Sequence, residues 1–320
     1  MTLNKTVFGS FLFWVGFILP ACARQIPPAG PNVVQAQRLP TASDEASGNK
    51  SKANAAPMQR YLEYRYYDSA EDALLDVVAT TRPRVIGFGE YHSQTGHLIE
   101  SALHRFTTSL LPAISSVTSD IIVEALVTEG QCQALTEEVL QTVQQDTHRA
   151  ETTEDETVTL FQTARQRGVF PHFLTLSCED HRQVYGSDQI DYDRLLQLIG
   201  RRTGEKIESV MDFRASAHRK SKPLIAVYSG AIHNDADPDP SWDRYAFGPS
   251  ILTRLPRNKY VEIDLVVPAI VENIDFVRDA EWYPLFKDKT DKNCTLLIKR
   301  SDRNYIIVFP RASGAPCIVQ

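Results

Sequence analysis

Short apolar runs alternate along this chain with segments whose apolar residues recur at helical spacing, and that alternation restricts the fold more than any other feature. Residues 84–89 (RVIGFG) form one such run and are followed by a helix-periodic segment over 97–106. Residues 121–125 read as a second strand and 132–143 as a helix. The polar, acidic stretch 149–156 opens another helix that reaches Arg167. A third strand follows over 170–177, then a long amphipathic helix from Asp191 to about Met211. Residues 224–229 (LIAVYS) read as a buried fourth strand and 260–267 as an alternating fifth. Segments 295–300 and 305–309, joined by Ser-Asp-Arg-Asn, form a terminal hairpin. Repeated strand–helix–strand units predict an α/β fold: a mostly parallel central sheet with helices on both faces and a C-terminal β-hairpin. In such sheets ligands gather beyond the carboxyl ends of the strands.

The N-terminus is of another kind. Lys5 precedes an apolar stretch from Val7 to Leu19, and small residues follow it. This is the layout of a secretory signal peptide, and the apolar stretch is too short for a comfortable transmembrane helix. Leu19-Pro20-Ala21-Cys22 resembles the bacterial lipoprotein box, which implies cleavage before Cys22 and lipidation of that cysteine. Residues 25–57 are rich in Pro, Ala, Ser, Asn and Gln and lack the large apolar side chains needed to offset their ordering entropy. The expected organisation is a signal peptide over 1–21, a disordered tether over 22–58 and a single α/β domain over 59–320. The chain is expected to be an exported lipoprotein of the bacterial cell envelope, held at the membrane through Cys22.

Charge and cysteine usage narrow the partners. The formal net charge of −6 offers no global basic field for phosphate backbones, so no nucleic-acid partner is expected. With Cys22 set aside, Cys132, Cys178, Cys294 and Cys317 remain, an even number in a compartment that permits disulfides. Cys294 and Cys317 flank the terminal hairpin and are the favoured pair. No CxxC spacing is present to suggest a thiolate zinc site.

Chemistry-bearing residues cluster where the strands should end. After the first strand comes Gly89-Glu90-Tyr91-His92, the glycine allowing a tight turn from which Glu90 and His92 project together. The second strand ends near Glu124, whose carboxylate needs a partner or a wet cavity. The third runs into Cys178-Glu179-Asp180-His181, which also reads as a solvated loop. The fourth runs into Gly230-Ala231-Ile232-His233. Each has an ordinary structural reading, as a helix cap, an ion pair or a capped turn. Jointly they bring carboxylates and imidazoles to one sheet edge.

Gly-Glu-x-His at Gly89, Glu90 and His92, a strand-end carboxylate at Glu124 and Gly-x-x-His at Gly230 and His233 resemble the superfamily that joins ChaN-like haem-binding lipoproteins, the TIKI and TraB proteins and the erythromycin esterases. The resemblance spans roughly residues 82–255 and includes the Arg244-Tyr-Ala-Phe-Gly248-Pro segment. Residues 131–168 have no counterpart in it. The resemblance implies two kinds of function. In esterase-like members the matched Glu and His residues are catalytic, with a histidine activating water, and TIKI members are described as metal-dependent proteases using the same positions. In ChaN-like members the domain is a lipoprotein linked to haem.

Three readings follow. As a hydrolase of ester or amide bonds, the chain would use Glu90, His92, Glu124 and His233 on a small-molecule or peptide substrate. A neutral imidazole takes the proton from water and a carboxylate orients it. Alternatively Glu90, His92 and His233 hold a divalent metal that acidifies a bound water; the sequence leaves metal-free and metal-assisted chemistry open. As a haem-binding lipoprotein of haem or iron acquisition, it would offer Tyr91, His92 and His97 as axial ligands, although this loop is polar and Tyr91 reads more simply as an aromatic packed on the sheet. The third reading is a surface lipoprotein that retains the fold without the activity.

Overall fold

A computed structural model describes residues 35–37, 62–93, 99–128, 150, 152–184, 190–216, 222–256, 259–272, 274–289, 293–311 and 317. All of them belong to one compact unit, Asn32–Gln320. The expected signal peptide and lipidated Cys22 lie outside the described residues, as do the helix expected over 132–143 and His97. The chain builds nine strands: β1 (Gln35–Gln37), β2 (Leu62–Tyr67), β3 (Val85–Glu90), β4 (Thr118–Thr128), β5 (Phe170–Leu176), β6 (Leu224–Gly230), β7 (Tyr260–Val266), β8 (Thr295–Lys299) and β9 (Asn304–Val308). They form one sheet in the order β1-β2-β8-β9-β7-β3-β6-β4-β5.

The pairings from β9 through β7, β3, β6 and β4 to β5 are all parallel, whereas β8 pairs antiparallel with both β9 and β2. The mostly parallel α/β sheet and the antiparallel terminal hairpin expected from the sequence are therefore present. Every residue of β3, β6 and β7 is buried. That is the physical origin of the near-continuous apolar sequences of β3 and β6, since a parallel strand covered on both faces has no side to give to water, whereas β7 buries Glu262 and Asp264 among its apolar residues.

Two opposed clusters show what covers those faces. Ile86, Phe88, Ile121, Val123 and Ala226 meet α1 (Ala70–Thr81), α2 (Ala102–Arg105), the π-helical turn Phe106–Leu110, α3 (Leu111–Ile114) and α4 (Thr153–Gln166). Residues of the other parity, including Val85, Ile122, Ile225 and Val227, meet α5 (Cys178–Val184), α6 (Tyr192–Ser216) and α8 (Gly248–Arg254). On that second face Leu285 and Phe286 of α9 (Tyr283–Lys289), with Trp282 of the turn before it, cover β8 and β9. Three rings stack through the first face, with Phe106 4.9 Å from Phe88 and 4.8 Å from Tyr228 between centroids. Each such pair adds about 0.5–1.5 kcal/mol beyond area burial. They fix the Tyr228 ring in the sheet's interior.

Several expectations need correction. The helix expected over 97–106 begins later, because Ser101 is its N-cap: the Ser101 hydroxyl accepts from His104 N at 2.9 Å, and the helical path runs on to Ile114. The stretch read as a structureless tether contributes β1, which pairs antiparallel with β2; ladder bonds are made by backbone and do not depend on composition. Segment 178–181, read as a loop, is the start of α5. Its Glu179 is exposed and pairs with Arg182, while Asp180 is buried, accepts from Ser177 N and pairs with Arg201 and Arg202. The favoured disulfide, Cys294–Cys317, is formed, with 4.6 Å between the Cα atoms.

Candidate functional site

The strand order defines a crevice. After β3 the chain crosses over the first face to β4, whereas after β6 it crosses over the opposite face to β7. β3 and β6 are neighbours, so the connections leaving their carboxyl ends part in opposite directions, and the gap between them is where ligands bind in open α/β sheets. Glu90 ends β3, Gly230 ends β6, and the two are paired in register. His92 follows two residues after Glu90, and His233 lies in α7 (Ala231–Asn234), the helical turn that continues from β6.

Glu124 reaches this gap from β4. The register of β4 against β5 shifts between Ile122 and Leu126, on either side of Glu124, and such irregularities re-aim a side chain at a strand end. Glu124 Oε2 accepts from the Gly230 backbone N–H at 2.8 Å and lies 3.9 Å from His233 Nε2. A methyl group placed on Gly230 would meet His92 Nε2 at 3.2 Å, Glu124 Oε2 at 3.6 Å and His233 Cδ2 at 3.6 Å. Side chains from three strand ends therefore surround one small volume above Gly230. The structure brings together all four residues named for catalysis.

Each imidazole is held from behind. Glu90 Oε1 is 2.7 Å from His92 Nδ1, and a carboxylate there accepts the Nδ1 proton. His233 is buried, and its Nδ1 donates to the Tyr245 carbonyl at 2.9 Å. His92 turns Nε2 towards the Gly230 volume, and His233 meets it at Cδ2, with its Nε2 3.9 Å from Glu124 Oε2. Tyr228 donates to Glu90 Oε2 at 2.5 Å. Burial, and after it the charges of Glu90, Glu156 and Glu124, push the Tyr228 phenol well above its ordinary range, so it stays protonated. Glu156 belongs to the acidic stretch expected to open a helix, and the sequence singled it out for no role in the site. It lies in the first turn of α4, accepts from Ser101 Oγ at 2.5 Å, and follows a segment in which Ala150 N bonds the Ser93 carbonyl beside His92.

The metal reading fares differently. Both Glu90 oxygens accept a hydrogen bond, Oε1 from His92 and Oε2 from Tyr228. Among the described residues no group of three His, Cys, Asp or Glu side chains is arranged to hold a metal ion. Of the residues named for haem, His92 is in the crevice and Tyr91 is not beside it. The Tyr91 ring packs 6.3 Å from Phe276 and 6.5 Å from Trp282, between ring centroids. Burial, with Asp264 next, raises its phenol well above the usual range. The plain reading of Tyr91 as an aromatic packed on the sheet describes what it does.

Behind the site, on the second face, lies a buried acidic cluster that the sequence did not reveal. Glu262 and Asp264 of β7 are both buried. Burial, then each other and Asp235, raises Glu262 well above the carboxylate range, and burial raises Asp264 to about 7. Arg300 is the cation facing them, 3.9 Å from Glu262 and 3.0 Å from Glu281. The cluster holds the chain around His233: Glu262 accepts from Ala236 N at 2.8 Å, and Asn234 Nδ2 donates to the Gly87 carbonyl at 3.2 Å and to Asp264 at 3.3 Å. Gly89, expected to permit a tight turn, lies inside β3 instead. A Cβ there would come within 2.7 Å of Asn234 and Asp264, so its role is close approach.

Comparison with family models gives no match, and neither does comparison with curated proteins. Among solved structures the chain is similar to the type III effector HopBA1, at 10% identity and a TM-score of 0.38, over 77% of this chain and 96% of that one. A likeness of that size carries no argument about function.

Proposed function

We propose that the crevice between β3 and β6 is a hydrolytic site acting on an ester or amide bond of a small-molecule or peptide substrate, without a metal. The observation that carries this reading is the convergence of His92 Nε2, Glu124 Oε2 and the His233 ring on the volume above Gly230. In this mechanism His92, with its Nδ1 proton held by Glu90, takes a proton from water at Nε2 as the water attacks the carbonyl carbon. Glu90 stabilises the imidazolium that forms, as an orienting carboxylate does for a general-base histidine. The His92 imidazolium then returns that proton from Nε2 to the leaving group, which departs protonated, while His233 Nε2, its own proton held on Nδ1 by the Tyr245 carbonyl, is placed beside Glu124 to accept a hydrogen bond from the attacking water. Positioned acid–base groups of this kind contribute about 10²–10⁴-fold each. We place this activity on an exported lipoprotein presented at a membrane through Cys22, in keeping with the resemblance to esterase- and ChaN-like proteins.

The test is a panel of chromogenic esters and short peptides offered to the full-length chain and to His92→Ala. Turnover by the native protein and its loss in a variant of unchanged melting temperature is expected. Equal turnover by the two proteins would refute the assignment. A haemin titration of the same proteins addresses the alternative: a saturable Soret shift abolished in His92→Ala would replace hydrolysis with cofactor binding.

A further inference from the structure

We propose that the amino edge of the sheet, from β7 across to β5, is a docking surface for an anionic phospholipid bilayer, and that it turns the crevice at the opposite edge away from the membrane. β7, β3, β6, β4 and β5 are parallel, so their amino ends share one edge. Six cations stand in the connections that enter it: Arg82 and Arg84 before β3, Arg165 and Arg167 before β5, Lys222 before β6 and Lys259 before β7. The carboxylates at this edge serve other partners. Asp120 lies 2.9 Å from Arg214, and Glu208 and Asp212 both pair with Arg254. Lys222 donates to the carbonyls of Ser115 and Gly168, and Lys259 to that of Arg82; a carbonyl holds an ammonium without cancelling its charge. A chain of net charge −6 thus gathers positive charge at one edge.

The cations alone have an ordinary explanation, since the C-terminal ends of α1, α4 and α6 arrive at this edge and favour positive charge. The two phenylalanines exposed among them do not. Phe170, the first residue of β5, is 63% exposed, and Phe213, in the last turn of α6, is 66% exposed. They are neighbours through Asp120, which stands opposite Phe170 in the β4–β5 register and pairs with Arg214, the residue after Phe213. Lys222 stitches the cations to them: its amine donates to the Gly168 carbonyl at 3.3 Å, and its own carbonyl accepts from Arg214 at 2.9 Å. Basic side chains beside apolar rings suit a bilayer surface, where the cations meet phosphates and the rings enter the boundary between headgroups and acyl chains.

The export signal and lipoprotein box read in the sequence put a bilayer within reach. The stretch from Cys22 to Gln35, where β1 begins, spans at most about 45 Å when extended. That length lets either edge of the domain touch the membrane, so the tether leaves the orientation open and the basic edge sets it. The inference shares with the proposed function the placement at a membrane and none of its chemistry.

The experiment offers the full-length chain vesicles of phosphatidylcholine, with or without phosphatidylglycerol, and reads the oxidation of phenylalanine rings by hydroxyl radicals. Oxidation of Phe170 and Phe213 should fall severalfold on the anionic vesicles. Phe276, 70% exposed beyond the carboxyl end of β7, should stay as reactive as before. High salt should restore both rings in the native protein by screening. Replacing two exposed cations, Arg165→Gln with Arg167→Gln, should lower the docking equilibrium about 30-fold, about 1 kcal/mol for each cation removed, and restore oxidation at an unchanged melting temperature. Equal oxidation on the two kinds of vesicle, or protection that survives both high salt and the double substitution, would overturn the proposal. So would protection of Phe276 in place of Phe170 and Phe213, or protection of the two rings by a DNA duplex and not by vesicles. Docking without hydrolysis of any ester or peptide would support this surface and count against the proposed function.

Discussion

Gly230→Ala separates the chemistry of the crevice from the stability of the fold. The backbone of Gly230 lies at φ −61°, ψ 145°, a region open to alanine, so the substitution introduces no conformational strain. The added methyl meets nothing closer than His92 Nε2 at 3.2 Å, and the Gly230 N–H that binds Glu124 is kept. A contact that tight asks its neighbour to give by a few tenths of an ångström, and the loss of glycine's freedom in the unfolded chain offsets the cost by about 0.4–1 kcal/mol. The melting temperature should therefore change little. Activity should not survive, because the methyl occupies the volume where water and the scissile carbonyl must meet. Misplacement of reacting groups by about 1 Å costs about 10²-fold, or ~2.7 kcal/mol of barrier. The assay pairs thermal denaturation with kcat/KM on the best substrate of the panel. Gly89→Ala is the contrast, since its Cβ would fall within 2.7 Å of Asn234 and Asp264 and should destabilise the fold by about 1–3 kcal/mol. A Gly230→Ala protein that folds normally and keeps kcat/KM within threefold of native would show that the reaction does not take place there.

Three further outcomes are expected. Because burial raises Asp264 from 3.8 to about 7, the native state binds a proton that the unfolded chain has released across that interval. This group's contribution to stability is therefore full below about pH 4 and lost as pH rises toward 7; urea titrations across that range should show the decline, and Asp264→Asn should flatten it. Opening the Cys294–Cys317 bridge, which closes 23 residues, should cost about 3 kcal/mol and lower the midpoint of denaturation; Cys294→Ser with an unchanged midpoint would contradict this. Cys22→Ser should abolish incorporation of radiolabelled fatty acid and release the protein from membranes, whereas a labelled Cys22→Ser protein would remove the lipoprotein assignment.

What could be read in the sequence divides along physical lines. β3 and β6 stood out because strands buried on both faces have few polar residues, and the site residues because glutamate and histidine are conspicuous directly after such runs. Tyr228 was invisible as a functional residue: an aromatic in an apolar strand looks like packing, and only the tertiary pairing of β6 with β3 gives its hydroxyl a carboxylate. Glu262 and Asp264 misled in the other direction. Their alternation with Val261, Ile263 and Leu265 suggests one wet face, yet both are buried, since Arg300, Asn304 and the Ala236 amide arrive from segments far along the chain. β2 and α1 escaped notice because Leu62–Tyr67 mixes charge with aromatics, and because two of the four residues in the buried stripe of α1 (Ala70, Ala73, Leu74 and Val77) are alanines, which carry little apolar signal. Glu156 lies in the acidic opening of the helix expected to reach Arg167, where carboxylates are favoured at a helix N-terminus for their own sake, so nothing marked it as a neighbour of the crevice.

The order of strands has a consequence for synthesis. β6 sits between β3 and β4, yet it is made after both and after β5. While the chain between Glu90 and Leu224 is being produced, the positions on β3 and β4 that β6 will pair with have no partner strand yet. Until that late strand slides in, neither Gly230 nor His233 has reached the crevice and Glu90 has no phenol to face. A chain that ends before β6 lacks Tyr228, Gly230 and His233 and so cannot assemble the crevice.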